Sequence, residues 1–290
     1  MDILINGQKA DIILDNEQTV GDILAALEQW LGNSAPHTSR GSCASGHRVS
    51  GLSIDGEMAH TGSLEELFRR DIHSVKTLDI ITSSLPQLII ESLLRVYQDI
   101  DEYENLGFDE KQRFREQWGE SPQAQLLAEQ LPELSEYCVT SFSGNGLSPR
   151  MLHAIIGERL REFQDPAGEL DRTEPLVAEI CARLEDLPLD IQTGKDSRAV
   201  ETVQIFSNIA GKIFRIFNVL KAEGLSTEEI KVEEIPVSDY IGEFSAALKE
   251  LLAAYEQRDA VLVGDLAEYE LAPRLRGLYA AMRNPAESPA

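Results

Sequence analysis

Residues 1–15 read MDILINGQKADIILD, and this stretch decides the fold of the N-terminal part of the chain. Apolar and polar residues alternate in its first half, and a second short run rich in β-forming residues spans 10–15. Asn6-Gly7 lies between the two runs, and Asn-Gly is a strong signal for a two-residue hairpin turn. The chain is therefore predicted to open with a β-hairpin.

A helix and two further strands are predicted to follow this hairpin. Thr19 suits a helix N-cap, apolar residues recur after it at helical spacing, and Gly32 is a C-terminal stop. Arg48–Ile54 and Lys76–Thr82 have the composition of strands, and a short helix, Leu64–Arg70, is predicted between them. This order suits one mixed sheet with a helix across one face.

The element order and spacing of residues 1–84 resemble the ubiquitin-like β-grasp superfamily. Sulfur carriers and conjugated modifiers of that superfamily end on a free Gly-Gly tail, whereas here the last strand continues through Ser84 into Leu85-Pro86 and a helix. The [2Fe–2S] branch needs four cysteine ligands, and this module has only Cys43. The resemblance therefore implies a binding surface.

Beyond residue 85 the apolar periodicity becomes that of helices. Pro188 is predicted to lie past the end of one helix, Asp196 to be the N-cap of the longest, and Pro273 to interrupt the last. A break is also predicted at 165–168. The predicted helices are Leu88–Ile100, Phe108–Trp118, Pro122–Gln130, Pro132–Phe142, Met151–Phe163, Glu174–Leu187, Asp196–Lys221, Val237–Tyr255 and Ala260–Met282.

The predicted fold class is thus α+β, with an N-terminal β-grasp domain over 1–84, an irregular all-α helical bundle over 85–283 and a frayed tail at 284–290. Gln192–Asp196 and Gly264–Glu270 resemble segments of uncharacterised bacterial proteins. That resemblance implies no activity.

The charge balance limits the partners that the protein can bind. Its 290 residues include 50 acidic and 26 basic side chains, a net charge of −24. This sign argues against nucleic acid and against an anionic membrane surface, because both are bound through clustered Lys and Arg. The N-terminus lacks the pattern of a signal peptide, and the three cysteines are widely spaced, so a cytoplasmic protein is expected. A basic partner protein would be attracted by this field.

Two motifs resemble sites for phosphate or zinc without completing them. Gly194-Lys195-Asp196 lacks the first glycine and the Ser/Thr of a phosphate-binding loop, so it is interpreted as a turn that starts a helix. His37, Cys43, His47 and His60 share one stretch, but structural zinc sites use tight paired spacings that are missing here. The first three of these residues are interpreted as a polar loop that could contact a partner.

The last helix carries the second candidate surface. Asp265 and Glu268 are three residues apart and can share one helical face, with Tyr269 and Glu270 beside them. Helix capping, solvation and ion pairs with Arg258 or Arg274 are the simpler explanation of these acids. The sharper hypothesis is a partner-binding patch, with Tyr269 as an aromatic anchor among acids.

No nucleophile elbow or dinucleotide fingerprint occurs in the chain, and its single Glu-x-x-His, Glu57–His60, lacks the second copy that a carboxylate-bridged metal site in a helical bundle needs. The sequence therefore predicts no catalytic residue, no metal ligand and no cofactor. The sequence favours a non-catalytic cytoplasmic interaction or adaptor protein. Two alternatives stay open: a metal-binding protein or enzyme that uses carboxylates of the C-terminal helix, and a self-assembling structural subunit.

Overall fold

A computed structural model describes residues 1–10, 16–33, 47–59, 64–223, 225, 230–232, 234–257 and 259–283. Within them the chain has an α+β fold, in which a mixed five-stranded sheet precedes a mostly helical region. Two compact units are present, Met1–Leu160 and Arg161–Ala290. The domain boundary expected after residue 84 stays a prediction. The predicted tail and most of the predicted second strand lie outside the described residues.

The sheet of the first unit has the strand order β2-β1-β5-β3-β4. β1 runs parallel to β5, and the other neighbours are antiparallel. The turns Asn6-Gly7 and Asp55-Gly56 have positive φ at both positions, which is the hairpin conformation predicted from the Asn-Gly and Asp-Gly signals. The strands are β1 Asp2–Ile5, β2 Gln8–Lys9, β3 His47–Ile54, β4 Glu57–Met58 and β5 Thr77–Ser84.

Helix α1, Val20–Asn33, covers one face of this sheet. Its apolar residues and alternate residues of the strands form a closed core, as the two periodicities predict. The predicted strands at 48–54 and 76–82 are confirmed to within two residues. The buried members of this core are Ile3, Val20, Ile23, Leu24, Leu27, Leu52, Ile54, Ile72, Val75, Leu78 and Ile80.

Helices complete the first unit. Ser84 and Ser121 accept hydrogen bonds from the backbone N–H groups of Gln87 and Ala124, and so cap two of them in front of a proline. Three predicted helices, α4 to α6, have the bounds that the sequence indicated. The helices are α2 Leu64–Phe68, α3 Leu85–Asn105, α4 Phe108–Trp118, α5 Pro122–Gln130, α6 Pro132–Phe142 and α7 Pro149–Gln164.

The second unit packs around α10, the longest helix, as its wide apolar stripe predicted. α8 packs against both α10 and α13, and a small hairpin of β6 and β7 precedes α11. The elements are α8 Pro166–Glu185, α9 Leu187–Gln192, α10 Asp196–Ala222, β6 Lys231–Val232, β7 Ile235–Pro236, α11 Val237–Glu256, α12 Ala260–Asp265 and α13 Ala272–Arg283.

Three predictions about helix ends in this unit need correction. The expected break at 165–168 is confined to Asp165, because the Asp165 carboxylate accepts the Gly168 N–H and caps α8. Pro188 lies past the end of α8 as predicted, but it is also the second residue of α9, a helix that was not predicted, where its missing N–H costs nothing. Asp196 is the first residue of α10, and Lys195 holds the N-cap position.

Candidate partner-binding surface

The predicted acidic patch lies on a π-helical turn. Leu266–Leu271 form this turn between α12 and α13, and the Ala272 N–H donates to the carbonyl of Ala267, five residues back. Pro273 follows at once and has no N–H to donate, so the interruption predicted at that proline falls one turn earlier. Single π-turns inside α-helices are rare and occur frequently at functional sites.

The turn brings three of the predicted residues together. Tyr269 has 65% of its surface exposed, although aromatic rings are usually more buried. Its hydroxyl is hydrogen-bonded to the carboxylate of Glu268. That hydrogen bond, with the charges of Glu268 and Asp265, raises the pKa of the Tyr269 hydroxyl. Asp265, Glu268 and Tyr269 therefore form a solvent-facing group of one aromatic ring and two acids.

Glu270, the fourth predicted residue, has a different role. Its carboxylate forms an ion pair with Arg274 one turn later, and Arg274 also lies 3.9 Å from the Glu243 carboxylate on α11. The expected pairing with Arg274 is thus present for Glu270, and Arg258, the other expected partner, lies outside the described residues. Arg274 thus joins the last helix to α11, and Glu270 is engaged by this arginine, whereas the ring of Tyr269 is exposed.

An open groove lies between α9, α10, α11 and α12 in the same unit, with a volume of about 660 Å³. Buried Ala199 and Val263 form its inner wall. The carboxylates of Asp196 and Glu256 stand at its edge, with the ring of Tyr255, which is 39% exposed. The lining residues are Ile191, Asp196, Ala199, Tyr255, Glu256, Ala260 and Val263. This acidic groove was not predicted, because its residues come from separate helices.

The two cations nearest to Asp196 in sequence pair with a buried acid, although 51% of the Lys195 side chain and 46% of the Arg198 side chain stay exposed. Lys195 Nζ lies 3.2 Å and Arg198 Nε 3.1 Å from the carboxylate of Asp190, whose side chain is buried. Lys195 is therefore engaged by an acid, as expected of a helix-initiating turn and not of a phosphate-binding lysine.

The described cysteines are not placed for nucleophilic catalysis. Cys138 and Cys181 are both buried free thiols. Burial raises the pKa of Cys138 to about 12, helped by the charge of Asp99, and burial raises the pKa of Cys181 to about 11. Both thiols are protonated at neutral pH, whereas the thiolate is the nucleophile.

Histidines give no general base beside these thiols in the described part of the chain. His153 Nε2 lies 2.9 Å from the Asp101 carboxylate, and its ring meets the edge of Tyr97 with centroids 4.2 Å apart. His47, one of the three predicted loop contacts, is the exposed first residue of β3. His37 and Cys43 lie outside the described residues, so the predicted loop contact stays a prediction.

Buried carboxylates in the second unit are held by cations. Glu169 receives Lys212 Nζ at 2.7 Å, Arg172 Nη1 at 2.9 Å and Arg161 Nε at 3.3 Å. Burial alone would raise its pKa, but the hydrogen bonds from Lys212 and Arg172 and the nearby positive charges lower it overall. Over the residues that the structure describes, no three His, Cys, Asp or Glu side chains are grouped to hold a metal ion.

A second groove lies in the first unit, between α1 and β3, with a volume of about 430 Å³. A register shift between Val49 and Gly51 places a β-bulge in this strand, and bulges re-aim side chains at sheet edges. The lining residues are Gly21, Leu24, Ala25, Glu28, Val49, Ser50, Gly51, Leu52, Ala59 and Phe68. The N-terminal module thus also offers a concave, mainly apolar surface.

Comparison with known proteins gives relatives without a described activity. Residues 1–84 match the model of the TP0873 N-terminal domain, and residues 169–281 match a domain of unknown function, DUF8042. An uncharacterized protein of Treponema pallidum (strain Nichols) is 24% identical over 278 residues, which cover 96% of this chain and 94% of that protein. No solved structure matches. The similarities fit an uncharacterised bacterial protein, as the sequence indicated.

The described helices were also compared with the requirements of a membrane span. A crossing needs about 20 predominantly apolar residues in one helix. Within the described ranges, no helix is long and apolar enough to meet that requirement.

Proposed function

We propose that this protein is a non-catalytic protein–protein interaction or adaptor protein of the cytoplasm. The observation that carries the proposal is the acidic groove, an open surface with an exposed tyrosine and two carboxylates. Tyr255 and Tyr269 supply rigid aromatic area on one unit, and aromatic residues are enriched among the side chains that carry binding energy. The buried thiols, and the Glu169 carboxylate that is paired with three cations, support a binding role over a catalytic one.

The charge of the chain supports a basic partner. Net charge is −24, and among the described residues the seven that line the acidic groove include two acids and no base. Such a field speeds the encounter with a positively charged protein and disfavours acidic ones. The effect is screened by salt, with a Debye length of about 10 Å at 0.1 M.

The N-terminal module is assigned in this proposal to the ubiquitin-like β-grasp fold. A hairpin, a helix across the sheet and the order β2-β1-β5-β3-β4 with β1 parallel to β5 support that assignment. The module would provide a second contact surface, through the groove between α1 and β3. Arg48 on β3 makes two hydrogen bonds with Glu129 of α5, at 3.1 and 2.8 Å, which links the sheet to the helices of its own unit.

A tagged pull-down from the native host, at low and at high salt, tests the proposal. Wild-type protein is compared with Tyr255→Ala, Tyr269→Ala and the control Phe108→Ala, whose ring is 82% exposed in the first unit. We expect one stoichiometric partner that is lost with the tyrosine variants and kept with the control. Recovery of no stoichiometric partner, or equal recovery with all variants, would overturn the proposal.

A further inference from the structure

We propose that the acidic groove binds an amphipathic α-helix of the partner, one that carries lysines or arginines beside an apolar stripe. This inference rests on the proposed function and names the partner's chemistry. It requires three properties of the groove: an open shape, an apolar path of helical length and an acidic edge.

The shape favours a helix over a small molecule. Of the seven lining residues, four are exposed, namely Asp196, Tyr255, Glu256 and Ala260. Pockets for small ligands bury about 70–90% of the ligand surface, which a groove bordered by exposed residues does not do. A helix laid in a groove needs only one of its faces to be covered.

The apolar surface continues beyond the groove along both of its helices. Val200 lies four residues after Asp196 on α10, and Leu252 lies four residues before Glu256 on α11, so each shares a helical face with a groove residue. Both side chains are 44% exposed. Together with Tyr255 they give a partner helix several apolar contacts, and such helices bind through anchors at positions i, i+3 or i+4 and i+7.

The charges at the edge select the polar face of that partner helix. Asp196 and Glu256 face the same opening from opposite helices. Lys195 and Arg198, the cations nearest to Asp196 in sequence, pair with Asp190 and are not among the lining residues, and Arg258 beside Glu256 lies outside the described residues. Lysines or arginines that flank an apolar stripe therefore meet carboxylates on both sides, whereas an acidic helix meets repulsion.

Three 18-residue synthetic peptides serve as probes. The first has leucines at i, i+3, i+4 and i+7 with lysines elsewhere, the second replaces the lysines by glutamates, and the third scrambles the first. Fluorescence anisotropy measures the binding of each to the full-length protein at 0.1 M salt. We expect the first peptide to bind at least about tenfold more tightly than either of the others, equal to about 1.4 kcal/mol. Equal binding of the scrambled peptide would overturn the inference.

Matched variants locate the binding of the probe. The pair Asp196→Asn and Glu256→Gln is compared with Glu104→Gln and Glu116→Gln, two exposed acids of the first unit, so that both double variants change net charge equally. Tyr255→Ala is compared with Phe108→Ala. We expect the groove variants to weaken binding about fivefold to tenfold and the controls less than twofold. Equal effects in both sets would mean unspecific attraction by the acidic chain and would contradict the site.

The failure of this inference is distinguishable from the failure of the proposed function. If the host partner is lost with Tyr255→Ala but no helical probe binds, the groove is an interaction site for a different chemistry. In that case the helix inference is overturned and the proposed function stands. If neither the host partner nor the probe depends on the groove, both are overturned.

Discussion

Lys212 of α10 reaches the carboxylate of Glu169 of α8 at 2.7 Å, where both side chains are largely withdrawn from water. Arg161 and Arg172 approach the same carboxylate from its exposed side. A buried acid of this kind is stable only with its partners, because an ion left unpaired in the interior keeps its desolvation cost. This ion pair joins α8 to α10 and stabilises the second unit.

Replacing Glu169 by Gln is expected to lower the free energy of unfolding by about 3 kcal/mol, because the largely buried Lys212 loses the charged carboxylate that it contacts at 2.7 Å. Urea unfolding followed by circular dichroism measures the change. The control is Glu174→Gln, which removes an exposed pair with Arg283 at 2.6 Å and should cost less than about 1 kcal/mol. A similar small loss in both variants would contradict a structural role for Glu169.

The contribution of Glu169 is expected to depend on pH in one direction. Its pKa in the folded protein lies below the ordinary value of 4.5, so the unfolded chain takes up the proton first on acidification. The stabilisation is therefore fully present above the unfolded pKa and is lost as pH falls through the folded pKa. The difference in the free energy of unfolding between wild type and Glu169→Gln should be the same at pH 6 and at pH 7, and it should shrink as pH falls below 4.5. A difference that grows in acid would refute this account.

Two helix glycines are expected to respond oppositely to the same substitution. A Cβ on Gly264 would lie 3.1 Å from Cβ and Cγ of Pro188, so α12 and α9 need the small residue. On Gly242 of α11, a Cβ would meet no described heavy atom within 4 Å. Gly264→Leu should lower the free energy of unfolding by about 1–3 kcal/mol.

Gly242→Leu is the control and should raise that free energy by up to about 0.7 kcal/mol through helix propensity. Thermal unfolding of wild type and both variants measures these changes. A Gly264→Leu protein as stable as wild type would contradict the close approach of α9 to α12.

The thiols of Cys138 and Cys181 are expected to resist alkylation in the native protein at pH 8, because burial raises both pKa values to about 11 or above. Iodoacetamide labelling with peptide mass spectrometry, with and without urea, measures the modified fraction of each. Both cysteines should react only in urea. Rapid native labelling of either would show a reactive thiolate and would reopen the catalytic alternative.

Local sequence signals were sufficient for much of the fold. The Ser121-Pro122 and Leu131-Pro132 pairs mark helix starts, and the bounds of α5 and α6 follow from them. Asp165-Pro166 is the same kind of signal, but the sequence predicts a break there because Pro and Gly close together usually mark a turn. Pro175 is exposed inside α8, where tertiary packing of the opposite face outweighs its local cost.

Part of the candidate surface could be predicted from residues close in sequence, and part of it depends on how distant helices pack. Asp265, Glu268 and Tyr269 are neighbours in sequence and could be singled out from spacing alone. The π-turn that presents them could not, since a proline indicates an interruption without its geometry. The acidic groove joins Asp196 to Glu256 through the packing of α10 against its neighbours, which no periodicity encodes. The groove could therefore not be predicted from the sequence.

Photo-crosslinking from the acidic groove tests the central claim most directly. A benzophenone analogue of phenylalanine is placed at position 255 in the native host, and the same analogue at position 108 in the first unit is the control. We predict one covalent adduct from position 255, with the cross-linked partner peptide lying in a basic amphipathic helix, and none of that adduct from position 108. Absence of an adduct at 255, or the same adducts from both positions, would contradict the claim that this groove is a protein-binding surface.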